Sequence, residues 1–219
     1  MARVQVAHQT DTRQRLLDAA GEVFAKRGFR QATVREICRK AHANIAAVNY
    51  HFRDKDGLYA AVLREAHREA SEKYPPTLGL GPDASAEQRL HAFIRSFLLR
   101  LFDPGRPAWH GLLMAREMVE PTAALDAIIE ESVRPRIELL RTIIRDLAGP
   151  EVSEERIRLC GQSVVGQCVY YHFGRRVLAR LDPPGDDQTI DPDRLADHIT
   201  DFSLAAIRHL DVLPRSSTS

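Results

Sequence analysis

The sequence is poor in the residues that mark several large classes of protein. Its 219 residues include three cysteines, one tryptophan and 6% aromatic residues. Cys38, Cys160 and Cys168 each fall within a helical pattern, so we expect buried thiols and no disulfide framework. No apolar run approaches the roughly 18 residues of a membrane span, and the first residues lack the apolar segment of a signal peptide. We therefore expect a cytoplasmic, globular protein with no membrane partner.

The motifs of common enzyme classes are also missing. The chain has no glycine-rich phosphate loop, no HExxH and no GxSxG. Cys160, Cys168 and His172 fall on one side of a predicted helix, but positions i and i+8 are about 12 Å apart along a helix axis. One helix face rarely supplies three metal ligands at that spacing. We predict no enzymatic activity, no metal site and no resident cofactor.

Charged residues are abundant and unevenly distributed. The chain is 44% hydrophobic and 28% charged, which allows one core or two small ones. Residues 1–74 contain 14 Lys and Arg against 9 Asp and Glu, a net charge of +5. The remaining residues have a net charge of −4, so the whole chain has a net charge of +1. A basic N-terminal third suits a polyanionic partner, and we use it as supporting evidence only.

Residues 33–52 contain two short helical patterns separated by a turn. Thr33 and Glu36 have the spacing of a capping box, which predicts the start of the first helix. Asn44 suits the N-cap of a second helix over residues 45–51. Each helix is too short to be stable alone, so we expect the two to pack against a third.

The second of these helices is predicted to have an apolar face and an outward polar face. At 100° per residue, Val48 and Phe52 point inward with Ile45 beside them. The outward residues suit a DNA major groove: Asn49 can bond an adenine edge, and small alanines allow close approach to thymine methyl groups. Thr33, Tyr50 and His51 can donate to phosphates. The spacing alone fits a surface helical hairpin equally well.

Ordered motifs over residues 12–74 resemble the N-terminal domain of TetR-family transcriptional regulators. They are a first helix ending at Gly28-Phe29, then TVREI, AAVNYHF and DKDGLY. The turn departs from the family pattern, with His42 where glycine is common and Ala43 where valine is usual. The resemblance implies that Lys55 and a helix N-terminus bind a phosphate and that Arg35 touches DNA. The predicted DNA-binding residues are Thr33, Arg35, Asn44, Ala46, Ala47, Asn49, Tyr50, His51 and Lys55.

Helix-capping residues, prolines and glycines mark helix starts and ends along the rest of the chain, which predicts further helices there. We predict an all-α protein: an N-terminal three-helix helix-turn-helix domain over residues 10–74, a linker over 75–85 and a helical ligand-binding and dimerisation domain over 86–213. Residues 1–10 are predicted to form a loose arm and 214–219 a disordered tail. Further predicted helices span residues 12–27, 55–74, 85–102, 108–119, 121–148 with a kink at Pro135, 154–181, and a last one opened by Asp191.

The last two long helices have apolar residues on two sides, which predicts a partner. A helix that is apolar on two sides must bury both. Each glycine within such a helix lowers the stability of the helix by about 1 kcal/mol relative to alanine, unless another segment packs closely against it. The predicted homodimer interface is Leu159, Ser163, Gly166, Tyr170, Phe173, Phe202 and Ala206. The resembling family dimerises through these helices, which fits a palindromic double-stranded DNA operator with half-sites about 34–36 Å apart.

The segments WHGLLMAREMVEPT and SVVGQCVYYHFGRR resemble the C-terminal domain of the CecR-like subgroup of that family. This resemblance implies a small-molecule effector held between helices. The predicted ligand-binding residues are Trp109, His110, Met114, Arg116, Glu117, Gln167, Tyr171 and His172. Arg116 and Glu117 could instead form an intramolecular or surface pair. We therefore predict a repressor that a ligand releases from DNA, with a helical protein–protein adaptor that does not bind DNA as the alternative.

Overall fold

The structure, a computed structural model, describes residues 2–103, 105, 109–181 and 191–210, with side chains from residue 11 onward. The described residues form eleven α-helices and one π-helical turn, with no strand, which confirms the all-α prediction. The predicted tail, the end of the second domain at residue 213 and the helix start at residue 108 lie outside the described residues. The helices are α1 Ala2–Gln31, α2 Val34–Lys40, α3 Ile45–Phe52, α4 Lys55–Lys73, α5 Ala86–Phe102, α6 Trp109–Val119, α7 Ala123–Ile128, α8 Arg134–Ala148, α9 Glu154–Phe173, α10 Arg175–Leu181 and α11 Pro192–Ile207.

The chain divides into two compact units whose boundaries differ from the predicted domains. The first unit comprises residues 1–69 and 104–133, and the second comprises 70–103 and 134–219. Helices α6 and α7 lie in the first compact unit, whereas the predicted second domain includes them. The boundary between the units falls within α4.

The core of the first unit is built on α1. Leu16, Ala20 and Phe24 on this helix are fully buried. The backbone is helical from Ala2, so the prediction of a loose N-terminal arm was wrong. No proline or glycine interrupts the chain before Gly21, and nothing in the sequence stops the helix from extending toward the N-terminus.

A π-helical turn lies within the long helix that the sequence predicted before α9. The sequence predicted one helix over residues 121–148 with a kink at Pro135. The structure has α7, then a π-helical turn over Ile129–Val133, then α8, in which Pro135 is the second residue. The backbone is helical without a gap from Ala123 to Ala148. Proline has no N–H to donate to the preceding turn, and the π-helical turn directly before Pro135 is where the chain absorbs that loss.

The core of the second unit joins α5, α8, α9 and α11. Fully buried side chains from these helices pack together, among them Leu90, Ile94, Leu140 and Ile199. The capping box predicted at the start of α5 is present in both directions: the Gln88 N–H donates to Ser85 Oγ at 3.2 Å, and the Ser85 N–H donates to Gln88 Oε1 at 2.9 Å.

The predicted helix over residues 154–181 is divided at Gly174 into α9 and α10. The Gly174 N–H donates to Tyr170 O at 2.7 Å, and a Cβ at Gly174 would lie 2.6 Å from the same oxygen. Only glycine allows this close approach. None of the helices in the described part of the chain combines the length and apolar character required to cross a bilayer.

Candidate nucleic-acid interface

Thr33 starts α2, but only half of the predicted capping box forms. Its backbone is extended, with φ −116° and ψ 144°, and its Oγ1 accepts from the Glu36 N–H at 3.2 Å. The Glu36 carboxylate instead forms an ion pair with Arg27 at 3.5 Å. The helix start was therefore predicted correctly from one hydrogen bond of the box, while the glutamate ties α2 to α1.

The turn between α2 and α3 is closed by local hydrogen bonds. The Ala43 N–H donates to Cys38 O at 2.9 Å. His42 has a φ of +50°, the left-handed conformation that glycine adopts most readily. Asn44 Oδ1 accepts from the Ala47 N–H at 2.9 Å, as an N-cap does. His42 therefore adopts the backbone conformation that a glycine usually adopts at such a turn.

Helix α3 has the two faces that the sequence predicted, with one exception. Val48 and Phe52 are buried, whereas Ala46 and Asn49 are exposed, and Tyr50 is 72% exposed. Ala47 and His51 are half-buried. Ile45, predicted to point inward, is 47% exposed because it is the first residue of the helix. The outward face offers hydrogen-bonding groups beside small side chains that leave room for a groove.

Lys55, predicted to bind a phosphate, is held by α1 in this structure. Its Nζ donates to Arg30 O at 3.3 Å and lies 4.6 Å from the centre of the Phe29 ring. The first turn of α4 is capped by Asp54, whose Oδ1 accepts from the Gly57 N–H at 2.7 Å. The phosphate role of Lys55 stays a prediction, and its ammonium group already has two partners within the protein.

Other cations near α3 are free. Arg35, Arg39 and Arg53 are exposed, and none has an ion-pair partner among the described residues. Lys40, by contrast, pairs with Glu22 at 2.8 Å. The sequence prediction included Arg35 but missed Arg39 and Arg53. Both lie close to α3 in the sequence, so the positions of the arginines around this helix could have identified them.

Helix α6 fixes the C-terminal end of α1 through Arg116. The guanidinium donates from Nε to Ala25 O at 2.9 Å and from Nη2 to Lys26 O at 3.2 Å. These carbonyls precede Gly28, whose φ of +78° ends the straight part of α1. A cation at the carbonyl end of a helix is favourable for the helix dipole. Arg116 therefore caps the helix that supports α2 and α3.

Glu117, the next residue, is 1% exposed and lies in a buried network. Its carboxylate accepts from the Tyr59 hydroxyl at 2.5 Å and from the N–H of Thr122 at 3.0 Å. Burial and the Glu117 carboxylate raise the pKa of Tyr59 far above its usual value. For Arg116 and Glu117 the sequence left open ligand contacts or an intramolecular or surface pair. The structure gives each side chain separate partners within the first unit.

Trp109 and its neighbours on α6 are also part of the first unit. A Cβ at Gly21 would lie 2.5 Å from the Trp109 ring, so the glycine allows α1 and α6 to approach closely. His110 is 3% exposed, and Met114 Sδ lies 3.1 Å from His67 Nε2. These three predicted ligand-binding residues therefore help to pack the unit, and their role toward a ligand stays a prediction.

The remaining predicted ligand-binding residues, Gln167, Tyr171 and His172, are half-buried in the second unit. The His172 ring meets Phe102 edge-on at 5.2 Å. A surface cavity of about 590 Å³ in this unit has a different lining, which the sequence did not predict: Leu78, Leu80, Glu87, Gln88, His91, Ala92, Arg95 and Thr200.

All seven residues of the predicted dimer interface are exposed in the single chain. The exposed stripe on α9 includes Tyr170 at 54%, and α11 presents Phe202 at 61%. A Cβ at Gly166 would meet nothing within 4 Å, whereas one at Gly161 on the buried face would contact Leu140 and Ile144 at 3.7 Å. Packing within the chain therefore does not explain the glycine at position 166.

A capped helix, a tight turn and a second helix with an exposed polar face define a helix-turn-helix protein of the DNA-binding class. Two models of known protein families match this chain and support the assignment to this class. The model described as "Bacterial regulatory proteins, tetR family" matches residues 16–62, and that of the C-terminal domain of "HTH-type transcriptional dual regulator CecR" matches residues 86–207. The second match covers more than half of the chain. This chain belongs to the TetR family of transcriptional regulators, with a C-terminal domain of the CecR type.

Individual relatives support the same family. The chain is 32% identical to the transcriptional regulator SrpR of Pseudomonas putida over 134 residues, which are 61% of this chain and 60% of SrpR. It is 26% identical to the dual regulator CecR of Shigella flexneri over 174 residues, 76% of this chain and 78% of CecR. These relatives are regulators of transcription, which supports the prediction that the chain is not an enzyme.

Solved structures share the fold. A tetR-family regulatory protein from Rhodococcus RHA1 superposes with a TM-score of 0.66 at 21% identity, covering 90% of this chain and 96% of that chain. AibR, solved with isovaleryl coenzyme A and operator DNA, has a TM-score of 0.64 at 14% identity, covering 87% of this chain and 97% of that chain. At these identities the likeness concerns the fold alone.

Proposed function

We propose that this TetR-family regulator is a homodimeric repressor that binds a palindromic operator in the cytoplasm and releases it when a small molecule binds. The observation that carries the DNA-binding part is the outward face of α3. Tyr50 is 72% exposed and Asn49 is exposed beside it. Exposed side chains of these types can bind phosphates and base edges, and they do not pack in the hydrophobic core.

The exposed stripe of α9 supports the homodimer. Leu159, Tyr170 and Phe173 are 47%, 54% and 38% exposed, and they recur at helical spacing with Ser163 and Gly166 between them. Large apolar groups around small residues allow the backbone of a second helix to approach closely. Two copies of α9 and α11 would then form a four-helix interface that places two α3 helices on one operator.

Release by a small molecule rests on family likeness and on thermodynamics. AibR has been solved with both isovaleryl coenzyme A and operator DNA, and we extend the principle, not the ligand, to this chain. An effector shifts the equilibrium only if it binds more tightly to the conformation that does not fit DNA. Ligand contacts from Gln167, Tyr171 and His172, which all lie in the second unit, remain part of the proposal.

Selection of bound duplexes from a random DNA pool tests the proposal. We expect the purified protein to enrich one palindrome and the Tyr50→Ala variant to enrich it far less. The control is Leu80→Ala, which removes an exposed side chain in the segment after α4. Melting temperatures of all three proteins should agree, because both side chains are exposed. If the native protein enriches no sequence at low salt, where phosphate attraction is strongest, the proposal fails and the adaptor alternative gains support.

The selected duplex then tests release. A compound library is screened by the shift in melting temperature that binding causes, and each hit is added to the protein–duplex complex. We expect at least one hit to weaken DNA binding. Hits that stabilise the protein and leave DNA binding unchanged would contradict the ligand-released part of the proposal.

A further inference from the structure

Arg53 lies directly after α3 in a backbone conformation that is unfavourable for an arginine. Its φ is +73° and its ψ is −52°. Non-glycine residues rarely adopt positive φ, and a bulky residue does so only when the surrounding structure compels it. Glycine would adopt the same conformation without steric conflict. A side chain kept at such a position is a candidate for a role outside the fold.

The fold needs only the backbone of Arg53. Its N–H donates to Asn49 O at 3.1 Å and closes the last turn of α3. Any residue with a backbone N–H makes this bond. The side chain is exposed and has no hydrogen-bond, ion-pair or ring partner among the described residues. The guanidinium group is therefore free to meet a partner outside the chain.

The contrast with Lys55 makes Arg53 the better candidate for an anion. The ammonium group of Lys55 donates to Arg30 O at 3.3 Å and sits over the Phe29 ring. Binding a phosphate would require Lys55 to share or leave these partners. Arg53 needs no such rearrangement, and a guanidinium can bind a phosphate with two parallel hydrogen bonds.

The position of Arg53 also suits the edge of a groove. Helix α3 has eight residues and so extends for about 12 Å at 1.5 Å per residue. The major groove of B-DNA is about 12 Å wide and is bordered by the two phosphate backbones. With the outward face of α3 in the groove, a long cation at the end of the helix reaches the bordering phosphates.

We propose that Arg53 binds a backbone phosphate at the edge of the major groove that α3 occupies. The inference rests on the proposed DNA binding and adds a contact that the sequence motif did not identify. A phosphate contact positions the protein and carries no base preference. Replacing Arg53 should therefore weaken binding to every duplex by a similar factor.

The test compares native protein, Arg53→Gly and Arg53→Lys on two probes, the selected duplex and a mixed-sequence duplex of equal length. Each affinity is measured across a salt series. For Arg53→Gly we expect a loss of about three- to tenfold on both probes and a salt slope smaller by about 0.9 per subunit. Arg53→Lys keeps the charge and should keep most of the slope.

A matched control separates backbone relief from DNA contact. Leu78, with a φ of +48°, is another non-glycine residue in a left-handed conformation and lies outside the helix-turn-helix. Arg53→Gly should fold with a melting temperature no lower than that of the native protein, and Leu78→Gly, which also removes a half-buried side chain, should fold and bind DNA like the native protein. Only Arg53→Gly should lose DNA affinity.

Each outcome decides the proposal. Native-like affinity and salt slope for Arg53→Gly would overturn it, as would weaker binding accompanied by a lower melting temperature, because the side chain would then act as a helix cap. A loss confined to the selected duplex would indicate base readout and would also overturn it. If the native protein binds neither probe, the proposed function itself fails, which is a distinct result.

Discussion

Helices α3 and α9 each bury one face and leave the other uncovered, but the uncovered faces differ in chemistry. On α3 the exposed residues include Asn49 and Tyr50, and three exposed arginines lie nearby. On α9 the exposed stripe is apolar, with Tyr170 at 54% and Leu159 at 47%, around a glycine. Exposure alone therefore does not identify a partner. Polar groups and free cations suit DNA, whereas an apolar stripe needs another apolar surface.

Helix α6 sharpens this comparison, because Arg116 and Glu117, for which the sequence left open a ligand contact or a pair within the chain, both have partners in the first unit. Arg116 donates to two carbonyls of α1, and Glu117 accepts from Tyr59 and Thr122. A buried carboxylate with hydrogen bonds from several donors is a structural element of the unit. The predictions that follow test the covered and uncovered faces in turn.

The buried face of α9 should protect its cysteine from alkylation. Burial raises the pKa of Cys168 from its ordinary value of 9.0 to about 12. At pH values below both figures, the thiolate fraction is then about a thousandfold smaller than in an ordinary thiol, and only the thiolate reacts. Mass spectrometry after iodoacetamide treatment should show Cys168 modified only in urea, with half-buried Cys160 reacting first. Equal labelling of both in the folded protein would contradict the assignment of faces.

The buried network of α6 should carry much of the stability of the first unit. Replacing Glu117 with Ala leaves the Tyr59 hydroxyl and the Thr122 N–H without their acceptor. We expect a loss of about 3 kcal/mol in the free energy of unfolding, measured by urea denaturation. Exposed Glu120 on the same segment is the control, and its replacement by Ala should change stability by less than about 0.5 kcal/mol. Similar values for the two variants would show that the network contributes little.

The exposed face of α9 should be sensitive to bulk and the buried face to packing. Gly166→Leu fills the space that we assign to a partner helix, and we expect dimer dissociation to become about 100-fold easier, or about 2.7 kcal/mol. Sedimentation equilibrium measures this effect. The single chain should remain folded, since leucine favours a helix more than glycine does. Gly161→Leu is the contrast, because the atoms beyond its Cβ would crowd Leu140 and Ile144, and it should lower the free energy of unfolding by about 1–3 kcal/mol instead. A native-like dimer for Gly166→Leu would place the interface elsewhere.

The exposed face of α3 should show base readout as well as phosphate contact. Asn49→Ala removes an amide that can pair with adenine, so we expect about a tenfold loss on the selected duplex, within the 1–3 kcal/mol of a bidentate base contact. The loss should be confined to one base pair of each half-site. Repeating the duplex selection with the variant reveals the relaxed position. A uniform loss across all sequences would assign Asn49 to the phosphates.

Local chemistry explains which parts of the fold were predictable. Thr33, Asn44 and Ser85 cap helices as predicted, because an N-cap depends on neighbours within three residues. The irregularity predicted at Pro135 appears as a π-helical turn over Ile129–Val133, directly before the proline, because the sequence shows that proline disturbs a helix but not where the chain absorbs the disturbance. The helical start of α1 was missed for lack of any positive signal before Thr12.

Contacts distant in sequence explain what was not predictable in the site. Arg116 and Glu117 were candidates for ligand binding because their partners on α1 and α4 lie 58 to 91 residues away along the chain. Lys55 was assigned to a phosphate by its motif, without reference to Arg30 O. That Arg53 lacks a partner among the described residues follows only from knowing which cations are paired in the fold.

The sequence by itself determined the all-α class, the reading helix and the alternation of buried and exposed residues on α3 and α9, since helical period and capping depend on adjacent residues. Only the tertiary structure decided that α6 packs in the same compact unit as the helix-turn-helix, that Glu117 is buried against Tyr59 and that Lys55, unlike Arg53, has a partner among the described residues. These facts depend on which distant segments meet. Which distant groups pair is set by how whole helices pack against each other, and it cannot be derived from the local sequence pattern.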